Sequence, residues 1–158
     1  GEASANRGTA KSPARVAMDN IGDVHVHVDY AAPSVRERVV WGGLVPYDQV
    51  WATGAHMATN VYFSGPLNFG GQNVEAGKYA IFTIPGPESW TVILNKNYNQ
   101  HLADDYDQAE DVLRVEVIPQ ENEHVEQLEF FVEVGESNTG ALVFSWDKLQ
   151  WKVDISTP

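Results

Sequence analysis

Hydrophobic and polar residues alternate with a period of two along most of this chain, and that period predicts strands. Val24, Val26 and Val28 interleave with His25, His27 and Asp29, which puts three valines on one face of a half-buried strand and three polar side chains on the other. Pro33 closes that strand, because it offers no ladder donor and restricts the residue before it. Strand character resumes over residues 58–63. Two short runs then flank Gly70-Gly71, a two-residue hairpin turn that needs positive φ. Residues 78–84 (KYAIFTI) and 90–94 (WTVIL) are apolar on both faces, which places them inside a sheet covered on both sides. Leu113, Val115 and Val117 mark a further strand, and Leu128, Phe130, Val132 and Val134 another. Leu142, Phe144 and Trp146 lead through a tight turn at Asp147-Lys148 into Leu149, Trp151, Val153 and Ile155. Residues 95–111 are polar and acidic, with too few apolar positions to anchor a helix, and read as loop.

Nine or ten short strands without a convincing amphipathic helix predict an all-β fold. The expected architecture is an antiparallel β-sandwich of jelly-roll type, with a wide closed barrel as the alternative and helix below about a tenth of the residues. No repeat appears at a solenoid period. Residues 1–15 are polar, rich in small side chains and without hydrophobic period; they read as a disordered N-terminal tether. Residues 16–158 form the expected single sandwich domain, long enough to bury roughly 70% of the surface of the unfolded chain.

Charge narrows the partners. Twenty-two acidic residues against ten basic ones leave a formal net charge of −12, a field that repels phosphate backbones and anionic membrane surfaces. The basic residues are scattered, so nucleic acid is not expected as a partner. No stretch is apolar enough to span a bilayer as a helix, so no membrane insertion of the domain is expected. The chain has no cysteine, which excludes disulfides, thiolate metal sites and cysteine nucleophiles.

Chemistry-bearing residues concentrate in residues 41–59, WGGLVPYDQVWATGAHMAT. Trp41, Tyr47, Trp51, His56 and Thr59 fit the wall of a pocket for a small molecule, glycan or peptide, since large aromatics with polar tips suit such ligands. The same tryptophans equally fit a plug for the end of the core, with glycines permitting sharp turns. His101, in the acidic loop, joins the candidates if that loop meets His56 in space; with Asp104 or Asp105 the two imidazoles would make a general base or a metal site. His25 and His27 share a strand face at i and i+2, the spacing of a metal chelate, with Asp29 beyond them. That face is outward by pattern and the pair alone supplies too few ligands, so no metal and no cofactor is expected. The acidic run 104–111 lacks the spacing, central glycine and terminal glutamate of a calcium loop and reads as solvated, with Asp111 paired to Arg114 or Arg38. Neither a phosphate-binding glycine loop nor a serine nucleophile elbow is present.

Several blocks together carry a resemblance. Ser12-Pro13, Asp29-Tyr30, Pro33-Ser34-Val35 and the run from Gly42-Gly43 through Leu44-Val45-Pro46-Tyr47 lead it. Val50-Trp51, Thr53-Gly54-Ala55, Ala58-Thr59, Ala76-Gly77-Lys78-Tyr79 and Phe82-Thr83-Ile84-Pro85-Gly86 continue it, with Trp90 and Glu110-Asp111-Val112-Leu113-Arg114. The chain resembles a bacterial family catalogued as domain of unknown function 2911. That resemblance implies a β-sandwich in an exported, often lipid-anchored protein of Bacteroidetes-like bacteria, periplasmic or at the cell surface, and it implies no activity. The family pattern has arginine where this chain has Ala52, asparagine where it has His56, and a tryptophan-glycine pair where it has His101-Leu102. The expected function is a noncatalytic binding or interaction module with its site at residues 41–59. The alternative is a hydrolase-type enzyme using His56 and His101 with nearby carboxylates, with or without a metal.

Overall fold

The computed structural model of the chain describes residues 12–158. Over these residues the chain forms ten strands, β1 Ala14–Ile21, β2 Val24–Ala31, β3 Thr59–Phe63, β4 Leu67–Phe69, β5 Gln72–Val74, β6 Gly77–Ile84, β7 Trp90–Asn95, β8 Asp111–Val117, β9 Gln120–Val134 and β10 Thr139–Ser156. One antiparallel sheet of six strands runs in the order β1-β2-β3-β6-β7-β8, and one of four runs β9-β10-β4-β5. The two pack face to face as a sandwich rather than closing into a barrel. A single turn of 3-10 helix, Gln108–Glu110, precedes β8.

Side-chain alternation decides which residues meet between the sheets. Val24, Val26, Val28 and Tyr30 of β2 point inward, as their spacing predicts, and His25, His27 and Asp29 face away from the core. From the facing sheet come Leu128, Phe130 and Val132 of β9 and Leu142, Phe144, Trp146, Trp151, Val153 and Ile155 of β10, all buried in the same cluster. β6 and β7 are apolar on both faces for the reason expected. Phe82, Ile93 and Ala80 point to the other side of the six-stranded sheet, where Ala52, Ala58, Val50, Leu102, Ala103 and Tyr106 cover them in a second apolar layer. Two loops supply that cover, residues 32–58 between β2 and β3 and residues 96–110 between β7 and β8.

Aromatic rings bind the two sheets together. Trp90 of β7 reaches Phe144 at 5.7 Å and Trp151 at 6.3 Å between ring centroids. Phe144 and Trp151 lie nearly parallel at 5.1 Å. Trp41 and Trp51 continue the cluster at one end: Trp51 stacks on Trp146 at 6.0 Å with planes 17° apart, and Trp41 meets Trp90 edge-on at 5.0 Å.

Four features differ from the sequence-based expectation. Ala14 and Arg15, assigned to the N-terminal tether, already lie in β1 and pair with Ala31 and Tyr30; residues 1–11 of that segment lie outside the described residues. β1 itself was blurred because only Ala17 and Ile21 of its eight residues are buried, whereas the apolar Val16 and Met18 face solvent. The start of β9, residues 120–127, is a strand made almost wholly of polar side chains, held by its backbone pairing to the distal half of β10. Asp147-Lys148 is no turn. β10 runs through it as one strand, with Asp147 at φ 56° opposite Val125, and the register shifts on either side. On each side of that pair β9 spends four residues where β10 spends two, so the extra residues lie on β9 and the pair bends there, as bulges do. The hairpin at Gly70-Gly71 forms as expected, with φ of 59° and 92°. A side chain at Gly70 would meet Val115 at 2.7 Å.

Because Trp90 is buried and touches rings of the facing sheet and of the segment over the open end, Trp90→Ala is expected to cost about 3–5 kcal/mol, the range for deleting a large buried aromatic. Equilibrium urea unfolding checks this. A loss below about 1 kcal/mol would show that the ring cluster does not hold the sandwich together.

Candidate functional site

Residues 32–58 join β2 to β3 over the open end of the sandwich, and backbone bonds rather than regular structure hold them. The start of this segment lies along β9: Val35 N donates to Glu126 O at 2.8 Å, Leu128 N to Pro33 O at 2.9 Å, and Ser34 bridges Gln127. Farther along, Trp51 and Thr83 exchange backbone bonds of 2.8 and 3.0 Å, and Asp48 N donates to Pro85 O at 2.7 Å. Arg36, Glu37, Asp48, Thr53 and His56 all have positive φ. Non-glycine residues in that region carry strain that surrounding structure must hold, and such residues cluster at functional segments.

One concavity of about 250 Å³ opens against this segment. Trp51 and Trp146 contribute its aromatic lining, Arg36, Arg38 and Ser34 its polar side, and Gly54 and Ala55 its edge. The Arg38 guanidinium is braced by two backbone carbonyls, donating from Nε to Val35 O at 3.0 Å and from Nη2 to Ser34 O at 2.7 Å. Beside it, the Arg36 backbone N–H donates to Glu126 Oε2 at 2.9 Å. That bond, with the neighbouring His124 and Arg38 charges, holds the Glu126 carboxyl below the usual carboxylate range. His124 lies between Glu126 Oε1 at 2.9 Å and Asp147 Oδ1 at 3.2 Å. Its pKa is raised, first by the Glu126 bond and then by Asp147. Trp146 Nε1 donates to Glu126 O at 3.2 Å, which fixes the indole under the mouth.

The six residues singled out in the sequence divide between packing and surface. Trp51 lines the concavity. Trp41 is half-buried within the ring cluster, 5.9 Å from Trp51 and 5.7 Å from Trp146, and acts as the plug. Tyr47 packs its ring over Gly42, where a side chain would meet it at 3.0 Å. Thr59 is wholly buried in β3 with its hydroxyl donating to Thr53 O at 2.9 Å; it ties down the loop and offers nothing to a ligand. His56 is exposed and edges a neighbouring hollow of about 390 Å³ that also touches Asp29, Asn60 and Arg15.

The two loops do meet. Leu102 N donates to His56 O at 2.8 Å, and Met57 bridges His101. The meeting is made by backbone, however, and no hydrogen bond joins the imidazoles. His101 Nδ1 instead contacts Asp104 Oδ2 at 2.9 Å, with both side chains more than 60% exposed. Two other carboxylates of this acidic run, Asp107 and Asp111, are taken up by local contacts. Asp107 caps the 3-10 turn through Ala109 N at 2.9 Å. Asp111 accepts from Tyr106 Oη at 2.9 Å, Arg114 Nε at 2.9 Å and Asn95 Nδ2 at 2.9 Å. Burial, then the Asp111 bond, pushes the Tyr106 hydroxyl up. Burial opposes the Arg114 charge, but its bonds to Asp111 and Tyr106 outweigh that and raise its pKa. Of the two partners expected for Asp111, Arg114 is the one used. Among the described residues, no three histidine, aspartate or glutamate side chains gather around one point suited to a metal ion.

Arg36, Arg38 and Trp146 escaped the sequence reading. The signal was present, since Arg36-Glu37-Arg38 is the one place where two basic residues fall two apart beside a turn. Scatter along the chain hid it, because the aromatic partner lies more than a hundred residues away.

Two outcomes follow. His56 sits at φ 63°, where glycine is at ease and Cβ-bearing residues are strained, and its side chain is exposed. His56→Ala is therefore expected to change stability by no more than about 1 kcal/mol, and His56→Gly to be neutral or stabilising; thermal melts of both decide it. A raised imidazole pKa means that the His124 contact contributes fully below the unfolded imidazole value and is lost as pH rises through the folded one. Glu126→Gln should lower the His124 pKa in an NMR titration. An unchanged value would show that the pair does not form in solution.

No helix among the described residues is long and apolar enough to cross a membrane. Comparison with known proteins finds no match among curated proteins and none among solved structures. A family model described as "Protein of unknown function (DUF2911)" matches residues 12–155, nearly the whole described chain, and the protein belongs to that family.

Proposed function

We propose that the protein is a noncatalytic binding module whose site is the concavity between Trp51, Trp146, Arg36 and Arg38. The observation that carries this reading is the pairing of a tryptophan-lined hollow with two arginines in a chain of net charge −12. A guanidinium braced by backbone carbonyls keeps its remaining N–H groups in a fixed fork, which suits carboxylate recognition. An exposed part of an indole face suits the apolar face of a sugar ring. The ligand class that fits both is a small acidic glycan. A volume of about 250 Å³ holds about one sugar ring, since ligand pockets for larger molecules begin near 300 Å³.

The extracytoplasmic setting, periplasmic or at the cell surface with a lipid anchor, belongs to this proposal and rests on the family resemblance. A site that gathers acidic sugars suits a protein facing the outside of the cell.

Tryptophan fluorescence provides the test. Titration with a glucuronate-containing disaccharide is expected to give a saturable change, because Trp51 lies in the lining. Arg38→Gln should weaken binding by roughly tenfold or more, as loss of a charge-assisted bond predicts, while the melting temperature stays within a few degrees. A flat titration with both acidic and neutral disaccharides would refute the reading.

A further inference from the structure

The outer face of the six-stranded sheet carries chemistry that the loop end does not use. His25 and His27 project from β2 with ring centroids 5.8 Å apart and planes tilted by 51°. Two imidazoles sharing one metal at metal–nitrogen distances of about 2 Å have centroids roughly 5–6 Å apart. The observed separation of the two rings is therefore within the range that one shared ion requires.

One nitrogen of each ring is already committed. His25 Nδ1 lies 2.8 Å from Asn20 Oδ1, and His27 Nε2 lies 3.3 Å from Asp29 Oδ1. Both oxygens only accept, so each neutral ring carries its proton on the committed nitrogen and a lone pair on the other, Nε2 of His25 and Nδ1 of His27. Histidines that bind metals are held in this way, with an oxygen on the nitrogen that faces away from the ion.

Register supplies a third donor that period-two counting along β2 does not reveal. In the antiparallel pairing of β1 with β2, Met18 stands directly opposite His27, and Asn20 opposite His25. Directly opposed residues share a face, with Cβ atoms about 5 Å apart. Met18 is 59% exposed, so packing does not account for the thioether at this place. A thioether is a poor donor to zinc and a good one to cuprous copper. The chain has no cysteine to compete for a soft ion. We infer that His25, His27 and Met18 form a surface site for one cuprous ion, with Asn20 and Asp29 as positioning residues that set the ring tautomers. The net charge of −12 favours approach of any cation.

Anaerobic titration of the full chain with Cu(I) against the chelator bicinchoninate tests this. One equivalent should be withdrawn from the chelator. His25→Ala and His27→Ala should each abolish that withdrawal, and Met18→Leu should weaken it about tenfold, at the low end of what loss of a supporting group costs a metal site. Zn(II) affinity should not change in Met18→Leu. All three side chains face outward, so far-UV circular dichroism should match the parent; His25→Gln and His27→Gln replace any alanine variant that misfolds. Copper left entirely with the chelator, histidine variants that bind like the parent, or a Met18→Leu variant with undiminished Cu(I) affinity would each overturn the assignment.

Discussion

Five tryptophans from opposite ends of the sequence pack into one contiguous cluster, and the rest of the structure depends on that contact. Trp90 comes from the six-stranded sheet, Trp146 and Trp151 from β10 of the other, and Trp41 and Trp51 from the segment over the open end. Edge-to-face and offset pairs of this kind add about 0.5–1.5 kcal/mol each beyond the area they bury. Made on several sides at once, this packing holds the segment that carries five residues with positive φ.

The same cluster produces the candidate site. Trp51 and Trp146 are nearly parallel because Trp146 is pinned through its N–H to Glu126 O. Glu126 is in turn the anchor for the Arg36 backbone. Core packing and mouth geometry are thus one network: the ring that closes the core on its inner side lines the concavity on its outer side. The arginines are positioned by β9 through Val35 and Ser34, Trp146 by its place in β10, and Trp51 by its backbone bonds to Thr83 of β6, so both sheets set the mouth. That arrangement keeps the spacing of its aromatic and cationic parts rigid.

How far the sequence could be read follows from where side-chain alternation carries information. β2 was legible because one face is valine and the other polar. β6 and β7 were legible because a strand covered on both sides has no polar face to show. β1 and the first half of β9 were not, since an edge strand with Val16 and Met18 outward, or with glutamates on both faces, has lost the contrast that alternation needs. The break at Asp147-Lys148 looked like a turn because a bulge and a turn use the same polar residues with left-handed backbone. Only the presence of a pairing partner, here Val125, separates them. The mouth was half legible for a related reason. Residues 41–59 are unusual in composition, whereas Arg36, Arg38 and Trp146 are ordinary until the fold brings them together.

The departures from the family pattern acquire a physical meaning in this light. Position 56 requires left-handed backbone, which asparagine tolerates best among residues with a side chain and histidine also visits. An asparagine there is therefore accounted for by conformation before any ligand is invoked, and His56 keeps the conformation while changing the exposed group. Position 52 behaves differently. Ala52 is buried in the second apolar layer with Phe82 and Ile93, under the loop that carries Leu102 and Tyr106. An arginine at that place needs a carboxylate or a path to water, and a loop raised enough to admit it. With alanine there, Leu102 and Tyr106 settle onto the sheet and Tyr106 turns its hydroxyl to Asp111. Ala52, Leu102 and Tyr106 thus belong to one apolar seal over Phe82 and Ile93. The seal leaves the mouth at Trp51, Arg36 and Arg38 untouched, because it lies on the opposite face of the six-stranded sheet.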